Sequence, residues 1–85
     1  MLVDEVAFHH MDARLAAYLL RTASARLRTV DRTHGQIADE LGTSREVVTR
    51  ILKDFEVAGL IETSRGRIRL LSSQELQARA APYSV

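Results

Sequence analysis

Thr33-His34-Gly35-Gln36-Ile37-Ala38-Asp39-Glu40-Leu41-Gly42-Thr43-Ser44-Arg45-Glu46-Val47-Val48-Thr49-Arg50-Ile51-Leu52 decides the fold. Thr33 and Gln36 have the spacing of a capping box, in which each side chain satisfies the other residue's backbone N–H at a helix start. Ile37, Ala38 and Leu41 follow at helical intervals and face inward. Gly42 then stops the helix, because glycine enters the left-handed conformation without a Cβ penalty. Ser44, two positions on, is the next N-cap. The second helix covers residues 44–58, carries Val48, Ile51, Leu52 and Phe55 as its apolar stripe, and is closed by Gly59. Ala38 is small enough for the two helices to approach, and Val48 and Ile51 pin the second on the first. This is the pattern of a helix-turn-helix, whose second helix enters the DNA major groove and reads bases with its N-terminal residues. Thr43 is a departure, since an apolar residue is commoner there.

The second helix has a full polar face. Arg45, Thr49 and Lys53 lie in one i,i+4 row, with Glu46 and Arg50 in the row beside it. Arginine bonds guanine O6 and N7 in bidentate fashion, and glutamate accepts from cytosine N4. The plainer reading is a solvated face, with Glu46 and Arg50 as a surface pair worth a few tenths of a kcal/mol. The segment that follows argues against it. Leu60-Ile61-Glu62-Thr63, a Ser64-Arg65-Gly66 turn and the alternating Arg67-Ile68-Arg69-Leu70-Leu71 make a β-hairpin. A hairpin directly after the second helix is a wing, here residues 60–71, with Arg65 and Arg67 beside the phosphate backbone. The expected fold is mostly α with a small β-hairpin: a winged helix-turn-helix with a three-helix core.

Farther out, Leu15, Tyr18, Leu19 and Thr22 mark the stripe of an upstream helix. Residues 23–32 lose that period, although Leu27, Thr29 and Val30 allow a short extended stretch. Ser72 and Glu75 form another possible capping box before Leu76-Gln77-Ala78-Arg79-Ala80, a helix that Pro82 is expected to end. Residues 1–9 are expected to be the stub of a connecting or dimer helix and hinge. Residues 10–73 form the winged domain, and residues 74–85 a short C-terminal helix and tail.

Composition bounds the rest. A chain of 85 residues is one compact domain. Without cysteine it has no disulfide, thiolate zinc site or thiol nucleophile. Hydrophobic residues at 46% and charged residues at 27% exclude wholesale disorder. No apolar run reaches membrane-spanning length, and the acidic Asp4-Glu5 start is no signal peptide. A cytoplasmic domain without membrane contact is expected. Eleven of the twelve basic residues are arginine, the planar partner for phosphate and guanine edges. They cluster: residues 26–32 carry Arg26, Arg28 and Arg32 against Asp31, and residues 64–70 carry Arg65, Arg67 and Arg69 with no acid. Adjacent His9 and His10 point about 100° apart on a helix and make no metal site. Tyr18, Phe8 and Phe55 read as packing residues. The isolated glycines make no phosphate cradle, and no catalytic motif is present, so an enzyme is not expected.

Gln36-Ile37-Ala38, Gly42-Thr43-Ser44-Arg45-Glu46, Thr49-Arg50-Ile51-Leu52, Gly59-Leu60-Ile61 and Gly66 together resemble the DNA-binding domain of the Crp/Fnr transcription regulators. Arg14-Leu15-Ala16 and Leu19-Leu20 upstream, and Leu71-Ser72-Ser73-Gln74-Glu75-Leu76 downstream, extend the resemblance over residues 6–80. It implies base reading by Arg45, Glu46, Thr49 and Arg50, on a half-site of the TGTGA or TTGAC kind. Thr33 and Ser44 match backbone-contacting caps, a role that helix N-termini also favour. His34, Lys53, Arg65 and Arg67 complete the expected backbone contacts. The partner implied is double-stranded DNA, with RNA polymerase as a further one. No cofactor is expected in this chain, because an effector would bind a sensor domain that it lacks. The resemblance implies a homodimer in a full-length protein and a weak dimer or monomer at this length. The competing reading is a winged helix used for protein–protein contact without DNA binding, which calls for an apolar or acidic patch in place of Arg45, Glu46, Thr49, Arg50 and Lys53.

Overall fold

The computed structural model describes residues 3–84, with side chains described for residues 11–81. The side chains of Phe8, His9 and His10 therefore lie outside the described residues. The elements are α1 (Val3–Thr22), β1 (Thr29–Val30), α2 (His34–Leu41), α3 (Arg45–Val57), β2 (Ile61–Ser64), β3 (Arg67–Leu70) and α4 (Ser73–Ser84).

The caps form where local chemistry predicts them. Thr33 Oγ1 accepts from Gln36 N–H at 3.1 Å, and Gln36 Oε1 accepts from Thr33 N–H at 2.9 Å, a complete capping box. Gly42 adopts φ 71°, and its N–H and that of Thr43 both donate to the Ala38 carbonyl. An L-residue there would incur the left-handed penalty. Ser44 Oγ accepts from Val47 N–H at 3.2 Å to open α3. Arg14 of α1 adds a cap that no local pattern announces: its Nη2 donates to the Leu41 carbonyl at 3.0 Å, placing a cation at the negative end of α2.

Val48, Ile51, Leu52 and Phe55 of α3 pack against Ile37, Ala38 and Leu41 of α2 and Leu15, Ala16, Tyr18 and Leu19 of α1 in one cluster. Each large side chain buried in this way contributes about 1.5–3 kcal/mol, so the core fixes the angle at which α3 presents its outer face. Thr22 departs from the expected α1 stripe. It is exposed, and its hydroxyl donates to the Tyr18 carbonyl at 2.7 Å, because a hydroxyl at the helix end is satisfied more cheaply by its own backbone than by burial.

The hairpin gains a third strand. β3 lies between β1 and β2, antiparallel to both. The extended stretch expected near residues 27–30 is β1, pairing Thr29 with Arg69 and Val30 with Ile68. Along β3, Arg67 and Arg69 face out while Ile68 and Leu70 are buried. Downstream, Glu75 N–H donates to Ser72 Oγ at 3.2 Å, the Ser72 half of the expected box. The expectation that Pro82 ends the last helix is corrected: α4 runs to Ser84. Proline removes one donor, the one that would reach the Ala78 carbonyl, and so close to a helix end that loss is confined to the final turn. α4 packs along α1.

Candidate nucleic-acid interface

The outer face of α3 carries Arg45, Glu46, Thr49, Arg50 and Lys53, all exposed. Among the described residues the side chains of Glu46 and Arg50 do not pair with one another, and neither they nor the side chains of Arg45 and Lys53 make an ion pair or hydrogen bond. The plain solvated-pair reading thus loses its one specific contact. Four long polar side chains stand in two adjacent rows with their hydrogen-bonding capacity unspent. The Arg45 stem passes over Gly35, where an added Cβ would meet its Cδ at 3.9 Å. Arg45 therefore leaves α3 beside the N-terminus of α2, and both helix starts lie on one side of the domain.

Thr33 and Ser44 use their hydroxyl oxygens as acceptors within their own helix starts. Each O–H proton is left to donate elsewhere, since a hydroxyl is one donor and two acceptors. That suits a phosphate oxygen. His34, expected at the backbone, is half-buried, and its Nδ1 lies 2.8 Å from Thr49 Oγ1. The two lie fifteen positions apart in the sequence, and no periodic signal links them. Only the closure of α2 on α3 brings the pair together.

The wing arginines separate into two kinds. Arg65, at the exposed turn beside Gly66 (φ 60°), has no acidic partner among the described residues. Arg67 Nε lies 2.8 Å from Asp31 Oδ1. Arg69 pairs with Glu62 across the hairpin. Likewise Arg32 Nε lies 3.4 Å from Glu40 Oε2. The local charges counted along the sequence are thus partly neutralised in space. These pairs are exposed and individually worth about 0–1 kcal/mol.

Beneath this surface the Tyr18 hydroxyl is buried without a hydrogen bond of ordinary length. Burial first, and then the neighbouring Glu40 carboxylate, push its pKa above the usual 10.0, with Arg32 opposing. Among the described residues no three His, Cys, Asp or Glu side chains gather as a metal site.

Two helices joined at a left-handed glycine, an unpaired polar face on the second and a basic hairpin after it define a winged helix-turn-helix of the DNA-binding class. The chain belongs to the Crp-like helix-turn-helix domain family, whose model matches residues 13–79. It is 37% identical over 75 residues to the transcriptional regulator LdrP of Thermus thermophilus, covering 80% of this chain and 38% of LdrP. The crystal structure of a putative transcriptional regulator of the Crp/Fnr family from Eubacterium rectale is 41% identical with a TM-score of 0.77, covering 82% of this chain and 33% of that one. The reduced CO-sensing protein of R. rubrum superposes with a TM-score of 0.81 at 26% identity, covering 92% and 39%. The chain spans less than two fifths of each relative's length.

Proposed function

We propose that this domain binds double-stranded DNA sequence-specifically as the output module of a Crp/Fnr-type transcription regulator. α3 enters the major groove, and the β2–β3 wing rests on the backbone. Arg45, Glu46, Thr49 and Arg50 read bases; Thr33, His34, Ser44, Lys53, Arg65 and Arg67 hold phosphates. The observation that carries this reading is the outer face of α3, where Arg45, Glu46 and Arg50 are exposed and unpaired. An arginine with no internal partner is free to bond a guanine edge without first breaking an ion pair.

The division into a connecting stub at residues 1–9, a DNA-binding unit at 10–73 and a tail at 74–85 belongs to the same proposal. Helix-turn-helix dimers dock two recognition helices about 34 Å apart on a two-fold operator, so a longer protein acts as a homodimer while this length alone is weakly associated or monomeric. RNA polymerase is the further partner of a transcription regulator, and the cytoplasm is the compartment. Among the described residues no helix is long and apolar enough to cross a membrane. An effector, if one acts, binds outside these 85 residues. The role is regulatory rather than enzymatic.

The test is duplex binding followed by fluorescence anisotropy across a salt series. Counterion release makes log K fall linearly with log salt, by about 0.9 per phosphate contacted. A flat salt response, or equal affinity for a selected and a scrambled duplex, overturns the reading.

A further inference from the structure

We infer that His34 is a positioning residue that sets the hydrogen-bonding sense of Thr49 at the DNA, so that Thr49 reads a base edge as acceptor or as donor according to where the imidazole carries its proton. This rests on the DNA-reading function above.

The bond is unusual for its position. A threonine hydroxyl within a helix ordinarily bonds back to a carbonyl one turn earlier, as Thr22 does to Tyr18. Thr49 instead turns its hydroxyl across to α2, and the one hydrogen bond of that hydroxyl among the described residues is to His34 Nδ1 at 2.8 Å. The contact stands between two openings. One, of about 180 Å³, is lined by His34, Thr49, Leu52, Lys53, Glu56 and Thr63. The other is lined by Thr33, His34, Gly35, Arg45 and Thr49. Thr49 is exposed in the same row as Arg45, so its unused valences face the partner that Arg45 faces.

A hydroxyl has one proton, and the imidazole decides where it points. When Nδ1 is bare, Thr49 donates to it and shows only lone pairs outward. When Nδ1 carries a proton, the imidazole donates to Oγ1 and the Thr49 O–H turns outward. Both nitrogens are donors in the protonated ring. An outward lone pair accepts from adenine N6 or cytosine N4; an outward O–H donates to guanine O6 or N7, or to thymine O4. The bound proton thereby changes the base preferred at one edge, without Thr49 moving. The charged groups bordering His34 are Arg45, Lys53 and Glu56 of α3, Arg32 before α2, and Arg67 of β3, itself held by Asp31. Of these groups only Glu56 and Asp31 are acidic. They are common to every variant below, so they cancel in the comparison.

The experiment is binding-site selection on the whole chain at about pH 8 and about pH 5.5, the interval over which histidine ordinarily changes charge. Wild type, His34→Asn, His34→Leu and Thr49→Val are compared. In wild type, the preference at one position should move from donor-bearing bases to acceptor bases by about three- to tenfold, the worth of one hydrogen bond. His34→Asn, which keeps a bonding group there but takes up no proton, should hold one preference at both pH values. His34→Leu should lose the preference at the position that Thr49→Val erases, while positions dependent on Arg45 survive. A wild-type preference that does not change with pH overturns the inference. So does a His34→Leu protein that keeps the full Thr49-dependent preference. A chain that selects no sequence at all refutes the DNA-reading function itself, a distinguishable failure. Thermal melts report folding, and if His34→Leu does not fold, the pH comparison of wild type with His34→Asn decides.

Discussion

Asp31→Asn should tighten DNA binding, although the substitution removes no side chain that touches DNA. In the free domain Arg67 Nε sits 2.8 Å from Asp31 Oδ1, with the two side chains 55% and 61% exposed. If Arg67 keeps Asp31 on binding DNA, the pair brings no net charge to the phosphates. If it leaves Asp31 for a phosphate, a carboxylate is uncovered and recruits a cation in its place. Either way the net counterion release from this site is close to zero. Asp31→Asn frees one guanidinium, so the slope of log K against log salt should steepen by about 0.9. An exposed pair of this kind is worth about 0.2–1 kcal/mol. Affinity at low salt should therefore rise by a factor of about 1.4 to 5, and the gain should shrink as salt screens it. Anisotropy titrations over about 0.05–0.2 M salt measure both quantities, the range over which counterion effects dominate affinity. An unchanged slope and unchanged affinity would refute the argument that Arg67 lies at the phosphates with Asp31 holding it in check.

Arg65→Ala should weaken binding on all sequences alike and flatten the salt slope by about 0.9, since Arg65 has no acidic partner to uncover; a changed sequence preference with an unchanged slope would contradict phosphate contact. Gly35→Ala should stabilise the domain by about 0.5–1 kcal/mol in thermal or urea melts. Gly35 is helical, and a new methyl would make only ordinary contacts at 3.9 Å with Arg45 Cδ and Thr33 Oγ1. A loss of stability would show that the Arg45 stem cannot give way. Tyr18→Phe should be neutral or stabilising by about 1 kcal/mol near pH 7, because it removes a buried hydroxyl without an ordinary partner. The raised pKa means that above pH 10.0 the unfolded chain loses this proton first, so wild-type stability falls as pH rises through that value. Tyr18→Phe should lessen that alkaline loss, and an identical pH profile for the two proteins would count against the burial of the hydroxyl.

The sequence reveals the features whose causes are local. Thr33 with Gln36, Gly42 and Ser44 announce themselves because a cap is made by residues two or three apart. The alternation of Arg67, Ile68, Arg69 and Leu70 declares the wing for the same reason. Arg67 beside Asp31, Arg14 beneath the end of α2 and His34 against Thr49 are contacts between elements, and no count along the chain contains them. β1 illustrates the boundary: Thr29 and Val30 hint at an extended stretch, but a two-residue strand exists only because β3 offers it an edge. Pro82 shows the opposite error, a strong local rule applied where a helix had almost nothing left to lose.

Sequence-specific binding, as proposed above, depends on base reading by Arg45 and Glu46 at the start of α3. Binding-site selection on wild type, Arg45→Ala and Glu46→Ala tests it most directly. Arg45→Ala should cost about 1–3 kcal/mol on the preferred site and relax the preference at one G·C pair. Glu46→Ala should loosen a cytosine preference next to it. Identical selected motifs from all three folded proteins would contradict the account and remove this face of α3 from the reading role.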